Sequence, residues 1–448
     1  MQISLKDFRC FHQISDIKIK PINILVGENS AGKSSFLAAV RFMAELFRRN
    51  AKASFNKDPF YLGAYEQIAH FRGGRFGRAK SFSFSFQDKV DQEYVRNRYR
   101  NQRDFVDIQL PTDFKIDVNF ENNRSQPKIV SVEFIAGEFG FKANLSNALT
   151  VDIRTPVHRY KFQGEWDIIA QEPFAFDISY LDFVVSEVRY TVQKQENVPE
   201  EFLKQLPLLG HLYRSASRSF PPLAYASAPV RSKPERTYNP GEASPSPDGE
   251  HIPYLLAQTK AFDKEKWSEI VRALGQFGRA SGMFEAITIK QLSNTEGGPF
   301  QLIVSLKGTK SNIIDVGYGV SQALPIITDF IRTADPTLFL FQQPEVHLHP
   351  RAQAELASFF SRTVKGSSHV LFLETHSDHL IDRFRMEARD GKHISSEDVS
   401  ILYFDKSGHN VKVHQISVDD LGNLKGAPSS YRRFFIDEEL RSLGGSDV

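Results

Sequence analysis

The chain opens on alternation. Ile3-Ser4-Leu5-Lys6 and Ile17-Lys18-Ile19 place apolar residues at every second position, the period of a half-buried strand. Ile24-Leu25-Val26 is apolar throughout and reads as a short buried strand; Phe36 to Phe47 then carries the spacing of an apolar helix. Alternation governs residues 81–190, as in Phe82/Phe84/Phe86, Phe114/Ile116/Val118/Phe120 and Val130/Val132/Phe134. A charged stretch, Asp91 to Arg103, interrupts these strands as a helix or a mobile arm. From Phe174 to Leu223 the pattern turns helical. Residues 229–250 read as loop, with Pro229, Pro234, Pro240, Pro245 and Pro247 among glycines and serines. Helical periodicity resumes from Ile252 to Leu274. From Ala286 to Phe404 the chain alternates strand and helix, with buried strands at Leu338–Phe341 and Val370–Leu373. No internal repeat is visible.

Composition changes this picture little. Apolar residues make up 41% and charged residues 25%, ordinary for a globular protein. The 38 phenylalanines, against 2 tryptophans and 4 methionines, fit sheet-rich packing. A net charge of +2 confines any nucleic-acid contact to local patches. Cys10 is the only cysteine, which excludes an intrachain disulfide. The opening MQISLKDFRCF lacks the apolar core of a leader, and no apolar run approaches the ~20 residues of a membrane helix. The expectation is a cytoplasmic protein without membrane contact.

Gly27-Glu28-Asn29-Ser30-Ala31-Gly32-Lys33-Ser34 lies between a buried strand and a helix and matches the phosphate-binding P-loop pattern. Its glycines let backbone N–H groups close on phosphates, and the helix N-terminus adds a favourable field. Gly27, Asn29, Ser30, Ala31, Gly32, Lys33, Ser34 and Ser35 are therefore the expected ATP-binding set. Lys33 is expected on the terminal phosphates and the Ser34 hydroxyl on Mg2+. A second glycine-bearing segment, Asp315-Val316-Gly317-Tyr318-Gly319-Val320-Ser321-Gln322, precedes an expected helix from Ala323 to Ile331, with Pro325 in its first turn. Further on, one apolar strand ends in Gln342-Gln343-Pro344-Glu345 and another in Glu374-Thr375-His376-Ser377-Asp378.

This series resembles the ABC ATPase order of P-loop, signature helix, Walker B strand, D-loop and switch histidine. The wording VGYGVSQALPI, QQPEVHLHP and ETHSDHLIDR, with LKDFRCF and LVGENSAGKSSFL, is similar to the group holding the OLD nucleases, RecF and the Septu-type defence ATPases. The resemblance covers residues 1–50 and about 285–405, and weakly Ala228–Pro234 and the terminal FFIDEEL. It implies an α/β fold, an ABC-type P-loop ATPase head with a β-rich and helical insertion. The division it implies is a first ATPase part at 1–80, an insertion at 81–284, a second ATPase part at 285–405 and an extension at 406–448. It also implies that Gly319, Ser321 and Gln322 contact the γ-phosphate held by an opposite subunit, that Glu345 to His349 form the D-loop, and that His376 senses the γ-phosphate. Gln67, in Leu62–Gln67, stands where a Q-loop metal ligand belongs. Arg9 and Phe11 flank the base or form an ordinary strand pair.

One departure matters. Walker B ends in two acids in the wider superfamily, whereas here Gln342 and Gln343 occupy the catalytic positions and Gln342 the metal position. A neutral amide is no general base and a poor magnesium partner. Relatives with an acid followed by Gln-Pro-Glu make Gln343 a native choice. Two origins fit Gln342: a Glu→Gln change made to trap ATP, or a sluggish ATPase that uses nucleotide as glue between heads. A Gln codon at 342 in the native gene removes the first.

Other signals have weaker chemistry. His347, His349, His376 and His379 invite a zinc reading, but the ATPase series already places the first three. After His376 the chain has too little length for a Toprim nuclease, Glu397-Asp398 with Asp405 being wrongly spaced. Basic patches stand at Arg48-Arg49, at Arg72, Arg75, Arg78 and Lys80, and at Arg96, Arg98, Arg100 and Arg103 with Tyr94 and Tyr99 interleaved. They suit DNA or RNA, or are a solvated surface. Arg231, Arg236 and Tyr238 approach either the nucleotide or a partner of the insertion. The expected partners are a second copy across an ATP sandwich and a separately encoded effector, a nuclease foremost, in anti-phage defence. The rivals are a RecF-like DNA-binding ATPase, a transporter subunit, and a scaffold that binds ATP with little turnover.

Overall fold

The computed structural model describes residues 1–46, 53–74, 77–99, 109–145, 149–164, 198–221, 223–239, 241, 244–293 and 298–432. The expected features at Phe47, Arg48-Arg49, Arg75, Arg100, Arg103, 174–197, Pro240 and the FFIDEEL segment lie outside them. The chain forms two compact units. One comprises 1–19, 28–223 and 404–413; the other comprises 20–27, 224–403 and 414–448.

The first unit is built on an eight-stranded sheet. Its order is Arg159–Gly164, Leu149–Arg154, Phe139–Asn144, Gln126–Ala136, Asp113–Asn123, Ser81–Lys89, Gln2–Phe8 and Phe11–Lys18, with antiparallel pairing from end to end. The strand at 81–89 continues the sheet that the first two strands begin, across the boundary expected at 80. Period-two alternation turns Phe82, Phe84 and Phe86 to one buried face. There Phe82 stacks on Phe120 at 4.8 Å and Phe42 on Phe55 at 3.8 Å. Phe42 comes from helix α1 (Lys33–Leu46), which begins three residues before the apolar run that announced it. The charged stretch supplies a helix over Gln92–Tyr99, and a second helix spans Glu200–Ser217 with Pro207 inside it. Ser215 accepts the backbone N–H of Asp91 at 2.9 Å and joins the two.

The sheet of the candidate site has its parallel middle in the second unit. Its order is Leu223–Ser227, Thr337–Gln342, Val370–Glu374, Ile22–Gly27, Val399–Ser407, Asn410–Val418 and Leu424–Lys425. Three parallel strands form its middle: β1 (Ile22–Gly27), β2 (Thr337–Gln342) and β3 (Val370–Glu374). They are nearly continuous apolar runs because both faces are covered, and β2 is buried at every position. Residues 229–250 form no helix or strand among those described. The helical run after them breaks at Asp263, whose side chain caps the helix Lys264–Ser281 at Lys266 N–H, 2.9 Å away.

One expectation needs correction. The helix after the second glycine segment, α2, spans Tyr318–Arg332, so it starts five residues before Ala323. Gly319, Ser321 and Gln322 therefore lie within its first turns, and Pro325 sits in its interior. Gly317 in extended backbone caps it. Pro325 has no N–H to offer the carbonyl of Ser321, a local loss that packing offsets: Val320, Ala323, Leu324, Ile326, Ile327 and Phe330 are all buried.

Candidate functional site

The register of the middle strands sets the site. Gln342 pairs with Glu374, and Glu374 with Leu25, so β1, β2 and β3 end at one edge of the sheet. The P-loop leaves β1 there at Gly27, and the Gln-Gln-Pro-Glu and Thr-His segments leave β2 and β3 there. In open parallel sheets this carboxyl edge is where ligands bind.

In the first unit the P-loop carries its expected backbone. Ser30 and Gly32 have φ of +60° and +92°. A Cβ on Gly32 would stand 2.4 Å from Cys10 Sγ and 3.0 Å from Phe11 Cζ, so the position admits glycine alone. Ala31 is buried, whereas Asn29, Ser30 and Ser34 are exposed. Lys33 is 3% exposed and its Nζ donates to the Glu28 carbonyl at 2.8 Å, which folds it back over the loop. Arg9, with φ of +51°, donates to Ser35 Oγ at 3.3 Å and to the Leu62 and Gln67 carbonyls at 3.3 Å. Arg9 thus braces α1 from the side. The Gln67 side-chain oxygen accepts the Ala64 N–H at 3.0 Å, capping a helical turn at Tyr65–Ile68.

In the second unit the ends of β2 and β3 are tied together. Gln342 is 6% exposed and donates its amide to the Ser227 carbonyl at 3.2 Å. The Gln343 N–H donates to the Glu374 carbonyl at 2.8 Å, while the Gln343 carbonyl accepts from Arg231 Nη2 at 3.0 Å. Glu345, buried in the loop after β2, accepts the backbone N–H of His376 at 2.9 Å. The His376 side chain itself is exposed. Burial pushes the Glu345 carboxyl above the usual range, against the lowering pull of bonds from His376 and Thr375 and of the Arg231 charge. Burial likewise pulls Arg231 down to about 10.

The same loop meets the start of α2. A Cβ on Gly319 would lie 2.8 Å from the His347 carbonyl, so glycine permits this close approach. The Tyr318 and His347 rings meet edge to face at 5.0 Å. Gln343 and His347 hold φ of +45° and +65°, uncommon for residues with side chains and a cost of ~1–3 kcal/mol each. A groove along the start of α2 is lined by Met283, Lys307, Ser311, Gly317, Gly319 and His347.

The structure thus assembles Gln342, Gln343 and His376 on the strand ends of one unit, with Gly319 against their loop. Gly32, Lys33, Ser34, Ser35, Arg9 and Gln67 gather around α1 in the other. Two links had no clear sequence signal: the hold of Glu345 on His376 and the grip of Arg231 on Gln343. The carboxylate of Glu345 and the arginine of a proline-rich stretch were visible, but not their partners.

The donor set is a poor match for a divalent cation. The expected ligands are a hydroxyl, Ser34, and two neutral amides, Gln67 and Gln342. The Gln67 oxygen is engaged on the Ala64 N–H, whereas Gln342 bonds the Ser227 carbonyl through its nitrogen and keeps its oxygen for another partner. Magnesium sites recruit one or two carboxylates beside the phosphates. No group of three or more His, Cys, Asp or Glu poised for a metal occurs among the described residues.

Two family models match this chain. Residues 1–219 match the family model described as "AAA ATPase domain", and residues 203–382 the one described as "AAA domain, putative AbiEii toxin, Type IV TA system". Among solved structures the chain is similar to an Smc head bound to the C-winged helix domain of ScpA. That match has 11% identity and a TM-score of 0.46, covering 93% of this chain and 97% of that one. A second is the Smc head domain with an extended coiled coil bound to the C-terminal domain of ScpA, derived from Pyrococcus furiosus. It has 11% identity, 98% coverage of each chain and a TM-score of 0.41. A third is the SMC head domain from Thermotoga maritima, with 7% identity, 92% and 97% coverage and a TM-score of 0.38. No curated protein matches. The family matches support an ATP-binding chain with an α/β P-loop ATPase fold.

Proposed function

We propose that this chain is an ATP-gated head of the SMC-like and OLD-like kind, which pairs with a second copy around bound nucleotide and so controls a separately encoded effector, a nuclease foremost, in bacterial anti-phage defence. The observation that carries this reading is the common edge of β1, β2 and β3, with the start of α2 packed by Gly319 on the loop after β2. Gly27 to Ser35 cradle the phosphates and Arg9 braces that cradle. Gly319 presents the start of α2 to the nucleotide of the second copy, with Ser321 and Gln322 buried behind it and turning outward to reach the phosphate only on pairing, and His376 reads its γ-phosphate. With Gln342 and Gln343 in place of acids, turnover is slow and ATP acts chiefly to hold the pair together.

Light scattering of this chain and its Lys33→Ala variant, with and without ATP, tests the reading. The expected result is an ATP-dependent doubling of mass that the variant lacks. A chain that binds ATP yet stays monomeric at every concentration overturns head pairing. A second reading, a RecF-like DNA-binding ATPase in the cytoplasm, draws on the exposed Arg96 and Arg98 of the helix Gln92–Tyr99. A gel shift that needs ATP and those two arginines would favour it.

A further inference from the structure

The turn after β2 is strained at both ends, with φ of +45° at Gln343 and +65° at His347. Such backbone persists where its surroundings over-determine it. Two buried side chains of the same unit do so here. Arg231 donates from Nη2 to the Gln343 carbonyl at 3.0 Å, and that carbonyl also closes the turn by accepting the Val346 N–H at 3.2 Å. Glu345, inside the turn, accepts the His376 N–H at 2.9 Å. The start of α2 joins them: the Tyr318 hydroxyl donates to the Arg231 carbonyl at 3.4 Å while its ring meets that of His347.

Both charged groups keep unspent capacity. Arg231 Nε and Nη1 are buried without a hydrogen-bond partner, and so is one Glu345 carboxylate oxygen. Glu345 is the carboxylate whose field reaches Arg231, and Arg231 is the cation whose field reaches Glu345. Two opposite charges thus share one buried corner, each acting on the other in a medium that screens little. Removing one member of such a pair leaves the other uncompensated, which costs more than removing both.

We propose that Arg231 is a positioning residue for the loop that carries His376: its buried charge anchors the Glu345 carboxylate, and that carboxylate anchors the His376 backbone. The order of the links is Arg231, Glu345, His376, all in the second unit. Because Arg231 comes from the loop-rich stretch after Ala228, the seating of that stretch governs where the exposed His376 side chain stands. The consequence for pairing rests on the reading that His376 senses nucleotide; the anchoring itself is measurable without nucleotide.

Hydrogen exchange of the full chain, free of nucleotide, tests the anchoring, and light scattering with ATP tests its consequence. In Arg231→Met, exchange at the backbone of residues 374–378 is expected to rise about tenfold, the scale of one charge-assisted bond, while 338–341 of β2 stay protected. ATP-driven pairing should weaken about tenfold, with ATP affinity changed by less than about threefold. Adding Glu345→Gln removes the second charge and keeps an acceptor for the N–H. That double variant should bring both readouts back to within about threefold of wild type. Arg231→Lys, which keeps the charge without the planar fork, should fall between wild type and Arg231→Met. A merely structural role would raise exchange across β2 as well, without rescue by the second substitution, and that result overturns the proposal. So does protection at His376 unchanged in Arg231→Met. If Arg231→Met does not fold, a double variant that folds with His376 protected sustains the proposal, and one that also fails to fold overturns it. A wild type that never pairs with ATP, while exchange at His376 responds as expected, overturns the nucleotide reading instead.

Discussion

The Glu345 carboxylate accepts the backbone N–H of His376 at 2.9 Å, so the loop after β2 holds the loop after β3 by a charge-assisted bond. Glu345→Ala leaves that N–H without its acceptor and should cost about 1–3 kcal/mol in urea unfolding. Glu345→Gln keeps an acceptor and should cost less. The pH dependence has a definite sign. Burial raises the folded carboxyl above its ordinary 4.5, so the stability it contributes is complete below that value and is lost as pH rises through the folded pKa. Glu345→Gln should therefore gain on wild type as pH climbs from 4.5 toward neutrality. A difference that stays flat over that range would show the carboxylate to be fully compensated.

Gly32→Ala should disable the P-loop. The new Cβ meets Cys10 Sγ at 2.4 Å and keeps a φ of +92°, strained for any side chain. A loss of about 1–3 kcal/mol in stability is expected, with weakened ATP binding. Adding Cys10→Ala removes the closest contact but neither the φ nor the Phe11 contact, so rescue should be partial. Complete rescue would place the whole effect in the sulfur contact.

Gln343→Glu should raise phosphate release from ATP by about 10²–10⁴-fold, the usual contribution of a positioned general base. Turnover unchanged in this variant, with ATP still bound, would mean that the attacking water is not oriented from the end of β2.

Asp329 is a buried hub on α2. Tyr225 donates to it, His251 Nε2 lies 3.2 Å away and Arg332 Nε donates at 2.7 Å. Asp329→Ala should destabilise by about 3–5 kcal/mol, since it leaves those partners uncompensated in the interior. Tyr225→Phe should cost only about 1 kcal/mol. Equal losses for the two variants, read by thermal unfolding, would contradict the hub.

Much of the fold was legible because its signals are local. The uniform apolarity of Leu338–Phe341 and Val370–Leu373 marks strands covered on both faces, and Phe82/Phe84/Phe86 marks a half-buried one. Gly32 was legible because a P-loop needs positive φ beside a helix start. The start of α2 was not. Gly317, Gly319 and Pro325 all argue against helix locally, yet buried side chains from Val320 to Phe330 outweigh them. Contacts such as Arg231 to Gln343, 112 positions apart in the chain, leave no trace in periodicity at all.

The chain passes from one unit to the other after residues 19, 27, 223, 403 and 413. Val411 donates its N–H to the Cys10 carbonyl at 3.0 Å inside the first unit, closing a loop of nearly the whole polypeptide. The two ends of that loop meet only once residue 411 has been synthesised, although all eight strands of the first sheet lie before residue 165. Until the late segment arrives, Phe11 and Phe36 lack the ring of Phe404, whose centroid lies 6.1 and 5.6 Å from theirs.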